Sequence, residues 1–473
     1  MILMKRGAGV FSILRPILTA ILLFVCFGSV FSQEVLRLSP QDAVDLAIRN
    51  NLSLESARLT LDNKQRKSDL VWNQFLPNLS VSGTLARPNY GTPSLDYSKL
   101  FSISPSLSFV TPDPKWSLTA SFSADLTFSF ALIEGIKSIK QDYSAGLITY
   151  EKAQLQLERD IRKAYNQILL MEENAALLMG SYENAVRQAD MAEANYRAGL
   201  VPRLSMLQTQ VTVANMRPSI DELENAINAL KGSFAMYLGL PYDTLLELEP
   251  FPPGDFVVPP DLAELIRSAV VNKPDIRELR ANIISLESGR RAQALQFYTP
   301  FLRFGWSWSS SLPDPFNVNW ADAEWMKSGS FTITLGYSLN TLFPFTTQGQ
   351  SLKDMDNTIR SLNIALAQLV MGTELEIFTK LNSLEKTLLT GEALSASVEL
   401  AELSYTLTEE AFRAGLQDHQ TVQNAELALR QAQLNLLTQQ YNYINDLIDL
   451  EYAVGVPFGT LSSRTSTNIG GTR

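Results

Sequence analysis

Hydrophobic and polar positions follow two different periods along this chain, in separate blocks. From Ser121 to Phe130 the apolar residues Phe122, Ala124, Leu126, Phe128 and Phe130 interleave with Ser121, Ser123, Asp125, Thr127 and Ser129. A period of two marks a strand with one apolar and one polar face. Leu79, Val81, Gly83 and Leu85 alternate with Ser80, Ser82 and Thr84 in the same way. Leu302, Phe304, Trp306 and Trp308 share one face of a third strand, and Phe331, Ile333, Leu335, Tyr337 and Leu339 one face of a fourth. The predicted strands are at about 79–86, 117–130, 301–309 and 329–340.

The other blocks are helical. Between 133 and 198 there is no proline, and apolar residues recur at Ile161, Ala164, Tyr165, Ile168 and Leu169, then at Leu178, Met179, Tyr182, Val186 and Ala189. Spacing of three and four predicts an amphipathic helix. Some 65 residues at ~1.5 Å each give roughly 100 Å. A second long helix is predicted over 350–414, with Ile359, Leu362, Leu366, Leu369, Phe378, Leu381 and Leu388 as its stripe. Each long helix meets a glycine, Gly199 or Gly415, and returning helices are predicted over 203–238 and 417–454. Pro218 falls inside the first of these and predicts a kink. Ser39 and Pro40 suit the cap and first position of an opening helix that runs to about Phe75, before Pro77.

The blocks occur twice. Tyr196-Arg197-Ala198-Gly199-Leu200 returns as Phe412-Arg413-Ala414-Gly415-Leu416, and Gly239-Leu240-Pro241 as Gly455-Val456-Pro457, both displaced by 216 positions. Ala47–Asn50 matches Ala269–Asn272, and Leu76-Pro77 matches Thr299-Pro300. The chain therefore divides into a first repeat at 33–242, a Pro-rich linker at 243–261, a second repeat at 262–458 and a tail at 459–473. The fold class is mainly α with a β portion, in two tandem repeats of helix, strand, strand, long helix and helix. Inserts at 87–116 and 310–328, rich in Pro, Ser, Asp and Trp, separate the paired strands.

Composition narrows the location. Lys5, Arg6 and Arg15 flank an apolar run from Ile17 to Phe27, followed by small residues. This is the form of a signal peptide over 1–32, although an uncleaved anchor has the same features. Cys26 lacks the preceding small residue of a lipidation site. The strands have the ~9–11-residue length of tilted membrane strands. A half-buried soluble sheet has the same alternation, but dense Trp and Phe opposite Ser and Thr favours lipid. Four strands cannot close a barrel, and an open edge in a bilayer costs several kcal/mol per unpaired group. In a membrane, three copies would supply twelve strands.

The remaining chemistry is sparse. One His and one Cys in 473 residues exclude most His/Cys metal sites and leave little for a Ser-His-Asp arrangement, and no phosphate-binding loop is present. A net charge of −10 makes nucleic acid an unlikely partner. Glu172-Glu173 and Glu409-Glu410 read as solvated helix-surface charge. No catalytic residue, metal ligand or cofactor is expected.

The order of elements, Tyr196-Arg-Ala-Gly199 with Phe412-Arg-Ala-Gly415, the closing Leu238–Pro241 and Leu342-Phe343 together resemble TolC-like outer membrane efflux proteins, over about Leu38 to Pro457. The resemblance implies a homotrimer, with a twelve-stranded β-barrel in outer-membrane lipid above an α-helical barrel that crosses the periplasm. It implies a passive conduit in a tripartite efflux or type I secretion system, working with a periplasmic adaptor and an inner-membrane pump. Arg197, Gly199 and Leu200, with Arg413, Gly415 and Leu416, fall at the family's adaptor-docking tips, though such glycines also end helices with no partner. Phe412, Gln417, Asp418, Thr421 and Asn424 fall at its periplasmic aperture. The family's two aperture aspartates are replaced here by Thr421 and Asn424, and its basic residue after the glycine by Gln417. Asp418 is either a substitute ring of charge or a solvated tip residue. His419 reads as a tip surface residue, with pH sensing as the alternative. A structural coiled-coil protein of the cell envelope is the rival function; it explains the helices and leaves the strands unexplained.

Overall fold

The computed structural model describes residues 35–90, 94–95, 109–110, 113–250, 261–319, 323–339, 343, 345–414 and 416–463. The signal segment with Cys26, most of the Pro-rich linker, Leu342, Gly415 and the end of the tail lie outside these residues. In chain order the elements are β1 (Leu36–Leu38), α1 (Pro40–Asn50), α2 (Leu52–Asp69), a 3-10 turn (Val71–Phe75), β2 (Asn78–Ala86), β3 (Ser94–Leu95), β4 (Phe109–Val110), β5 (Ser117–Phe128), α3 (Ala131–Arg197), α4 (Arg203–Tyr237) and β6 (Leu246–Leu248). Then follow α5 (Leu262–Asn272), α6 (Pro274–Tyr298), β7 (Phe301–Pro313), β8 (Met326–Gly336), α7 (Thr347–Arg413), α8 (His419–Val454) and α9 (Thr460–Ser463). Among the described residues no helix is long and apolar enough to cross a membrane.

The chain forms two compact units. One contains residues up to Ser56, 153–269 and 374 onward. Its core gathers Ile161, Tyr165, Ile168 and Leu169 of α3 with Ala43, Val44 and Ala47 of α1 and Phe234, Ala235 and Leu238 around the end of α4. These α3 residues are the predicted stripe. In α7 the buried row is Ile377, Leu381 and Leu384, whereas Phe378, expected in the stripe, is 47% exposed.

The start of the linker carries a short strand. Within it, β6 pairs in parallel with β1, Leu36 against Leu246 and Leu38 against Leu248. The Tyr165 hydroxyl donates to the Leu38 and Glu249 carbonyls, at 2.9 and 2.8 Å, and fixes both strands to α3. Burial pushes that hydroxyl's pKa up to about 12. Gly239 ends α4 with φ +75, and a Cβ there would stand 2.2 Å from the Asn50 carbonyl oxygen. Only glycine permits both the left-handed turn and this approach.

The opening helix is two helices, because Asn51 interrupts it. Its side-chain oxygen accepts from the Ser53 and Leu54 amides at 2.9 and 3.0 Å, capping α2, while its amide nitrogen donates to the Tyr237 carbonyl. Lys273 and Pro274 make the equivalent break between α5 and α6.

The other unit contains residues 57–152 and 270–373. Its helices are tied by ion pairs: Lys64 to Asp142 at 2.9 Å, and Lys152 to Asp275 and Glu278 at 2.8 Å. Burial alone would lower the Lys152 pKa; the two carboxylates outweigh it and raise it. The unit's sheet is antiparallel in the order β2-β5-β7-β8, and among the described residues β2 and β8 are its edges, each paired on one side only. β7 runs on to Pro313 and β8 begins at Met326, so the second insert is shorter than the sequence suggests. Its residues pair in full register, Leu312 with Leu118 and Pro313 with Ser117.

Candidate functional site

The first tip is built by the end of α3. The Gly199 amide donates to the Tyr196 carbonyl and the Leu200 amide to that of Asn195, both at 2.9 Å. This pair of bonds needs a left-handed residue between them, and Gly199 supplies φ +72. A Cβ there would meet nothing within 4 Å, so within the chain the glycine serves the turn and no backbone approach. Arg197 pairs with Glu193 one turn back. Leu200 ahead of α4, and Leu204, Leu207 and Val211 at helical spacing within it, are all exposed, at 74, 66, 42 and 56%. They form an uncovered apolar stripe.

The second tip joins α7 to α8. The Leu416 amide donates to the Ala411 carbonyl at 2.9 Å, the same reach as at the first tip. Arg413 pairs with Glu409 at 2.6 Å, and Leu416 is 77% exposed. Gly415 lies outside the described residues. Asp418 is the N-cap of α8 and accepts from the Thr421 amide at 2.8 Å and the Thr421 hydroxyl at 2.6 Å. These bonds hold its carboxyl below the usual range. Asn424 accepts from Gln420, Gln417 is exposed and Phe412 is half-buried.

His419 corrects the expectation of a surface residue. It is only 9% exposed, its ring lies 6.1 Å from that of Phe412, and neither ring nitrogen has a partner among the described residues. It is the first residue of α8, and position in the helix alone does not reveal burial. Burial lowers its pKa, while the Asp418 carboxylate pulls the other way.

Sequence reasoning missed the polar ties between helices. Lys163 reaches Asp449 at 2.9 Å, and Lys380 reaches Asp446 and Asp449 at 2.8 and 3.0 Å. Burial alone would raise the Asp449 pKa, but the two lysines lower it on balance. The paired carboxylates read as solvated are also partnered: Glu172 with Lys231, and Glu173 with the Tyr441 hydroxyl. Nothing local in the sequence marks partners 286 residues apart, as Lys163 and Asp449 are.

The sheet has two unlike faces. One carries Leu79, Val81, Phe122, Trp306, Trp308, Phe331, Ile333 and Leu335, with Ser310 and Lys327 at one end. Val81, Phe331 and Leu335 are 80, 65 and 75% exposed there. The other face is hydroxyl-rich.

Residues 43–229 match the family described as outer membrane efflux protein. No curated protein matches the chain in sequence. Its fold is similar to that of CusC, with TM-score 0.68 and 14% identity, covering 88% of this chain and 92% of that one. The outer membrane protein VceC of Vibrio cholerae matches at TM-score 0.66 and 16% identity, covering 89% and 96%. The CmeC outer membrane channel of Campylobacter jejuni matches at 0.66 and 16%, covering 91% and 88%. Over residues 43–229 the sequence matches the outer membrane efflux protein family, and over most of its length the fold is similar to those of TolC-like outer membrane channels.

Proposed function

We propose that this protein is the outer-membrane channel subunit of a tripartite efflux or type I secretion system, a passive conduit from a periplasmic adaptor and inner-membrane pump to the cell exterior. The observation that carries this is the sheet. Among the described residues its apolar face is largely exposed and both edge strands lack a second partner. Water cannot satisfy such edges inside a bilayer, so neighbouring subunits must. Three copies give a twelve-stranded barrel. The two halves of the chain act as tandem repeats, and the paired long helices of each supply the periplasmic wall. The exposed stripe from Leu200 to Val211 and the exposed Leu416 offer apolar contact at the tips, where the adaptor docks.

Fractionation and gel mobility test the proposal. A detergent-requiring, heat-modifiable trimer in the outer membrane is expected. A water-soluble monomeric rod would sink it in favour of a structural coiled-coil role.

A further inference from the structure

The hydroxyl face of the sheet carries charge at one place. From Ser80 to Thr84, Ser117 to Ser123, Ser307 to Ser311 and Ser328 to Thr334, the residues on this face are all Ser or Thr. Many bond one another across strands: Ser80 with Ser123 and Ser82 with Ser121 at 2.7 Å, Ser307 with Ser330 at 3.0 Å. Asp125 and Arg303 are the charged residues on this face of the four strands. They are diagonal neighbours, since Asp125 stands opposite Gly305, two positions from Arg303. Long side chains bridge such diagonals. Here the Arg303 Nε is 3.8 Å from the carboxylate.

Gly305 leaves the space this pairing uses. A Cβ at that position would lie 3.3 Å from Asp125 Oδ1 and 2.8 Å from the Thr332 hydroxyl. Arg303 also borders a recess of about 370 Å³, whose polar lining of Thr127, Ser129, Gln296, Thr299 and Gln348 is uncharged. The pair is loose, with side chains 56 and 40% exposed, so each charge remains open to a third.

We propose that Asp125 and Arg303 together set the ion preference of the passage lined by this sheet. The inference rests on the channel reading above. With both present, the charges cancel along a neutral wall, and solutes of either sign pass. Removing one leaves three like charges in the trimer, and a water-filled passage with low-dielectric walls focuses their field.

Reversal potentials of the full-length trimer in planar bilayers, under a KCl gradient, test this. Asp125→Asn is expected to raise the chloride-to-potassium permeability ratio about twofold or more, and Arg303→Gln to lower it comparably. The double variant returns to the wild-type ratio. Ser307→Asp, which leaves the pair intact, shifts preference towards potassium if this face lines the passage. Conducting single variants with an unchanged reversal potential overturn the proposal, as does an unshifted Ser307→Asp. A wild-type trimer that does not conduct removes the channel reading itself, a distinct result.

Discussion

At the scale of single residues, the second tip combines a firm cap with a vulnerable side chain. Asp418 holds Thr421 in place, so neither is a free group. His419 beside them is buried without a partner for either nitrogen among the described residues, and its pKa is lowered from 6.5. The unfolded tip therefore binds a proton more readily than the folded one. Stability rises with pH between the lowered value and about 6.5, and falls on acidification through that window. Limited proteolysis around the α7–α8 turn is expected to speed up severalfold on going from about pH 7.5 to 5.5. In His419→Phe, which keeps the packing on Phe412, the pH dependence is expected to vanish. An unchanged pH profile in that variant shows that another group controls the tip.

At the scale of elements, helices are joined by charges placed far apart in sequence. Asp449 sits between Lys163 and Lys380, and its folded pKa is depressed from 3.8. Its contribution is present at neutral pH and is lost as pH falls through the depressed value. Asp449→Asn takes the carboxylate from Lys163 and leaves Lys380 with Asp446 alone. We expect a loss of about 1–3 kcal/mol, between surface and buried ion-pair values. Thermal melting at neutral pH reads it as a lower Tm. The deficit should shrink as pH falls through the depressed value, where the wild-type carboxylate itself becomes protonated. An equal deficit across the pH range points to packing instead of charge.

The same scale separates what was legible in the sequence from what was not. Strand β5 and helix α3 announce themselves through period two and period 3.6, because each has one buried or lipid-suited face. The break at Asn51 was not legible, since its cap bonds and its bond to Tyr237 use a residue that also suits a helix surface. Strand β6 was hidden in a proline-rich stretch, because three residues gain their strand form only from pairing with β1. The end of β7 read as a loop from its Ser and Pro content until its pairing with β5 was seen. Gly199 was legible as a turn. His419 burial depends on packing that no local pattern encodes.

At the scale of the whole molecule, the two sheet faces make opposite predictions. Phe331 lies mid-strand on the bare apolar face. An arginine there costs about 2–4 kcal/mol at the bilayer midplane. Phe331→Arg is expected to reduce the yield of heat-modifiable trimer, whereas Ser330→Arg, one position away and on the opposite face, is expected to assemble normally. Equal assembly of both variants argues that this face does not meet lipid.

The unpaired rims of β2 and β8 also impose an order of events. Among the described residues, β2 and β8 each present a row of backbone donors and acceptors that no other strand pairs. In the proposed trimer, completing the sheet is a meeting between molecules, so its pace climbs with their concentration while competing clumping climbs too. Escorts that mask these rims in transit, or dilution during refolding, should shift that race toward the finished assembly.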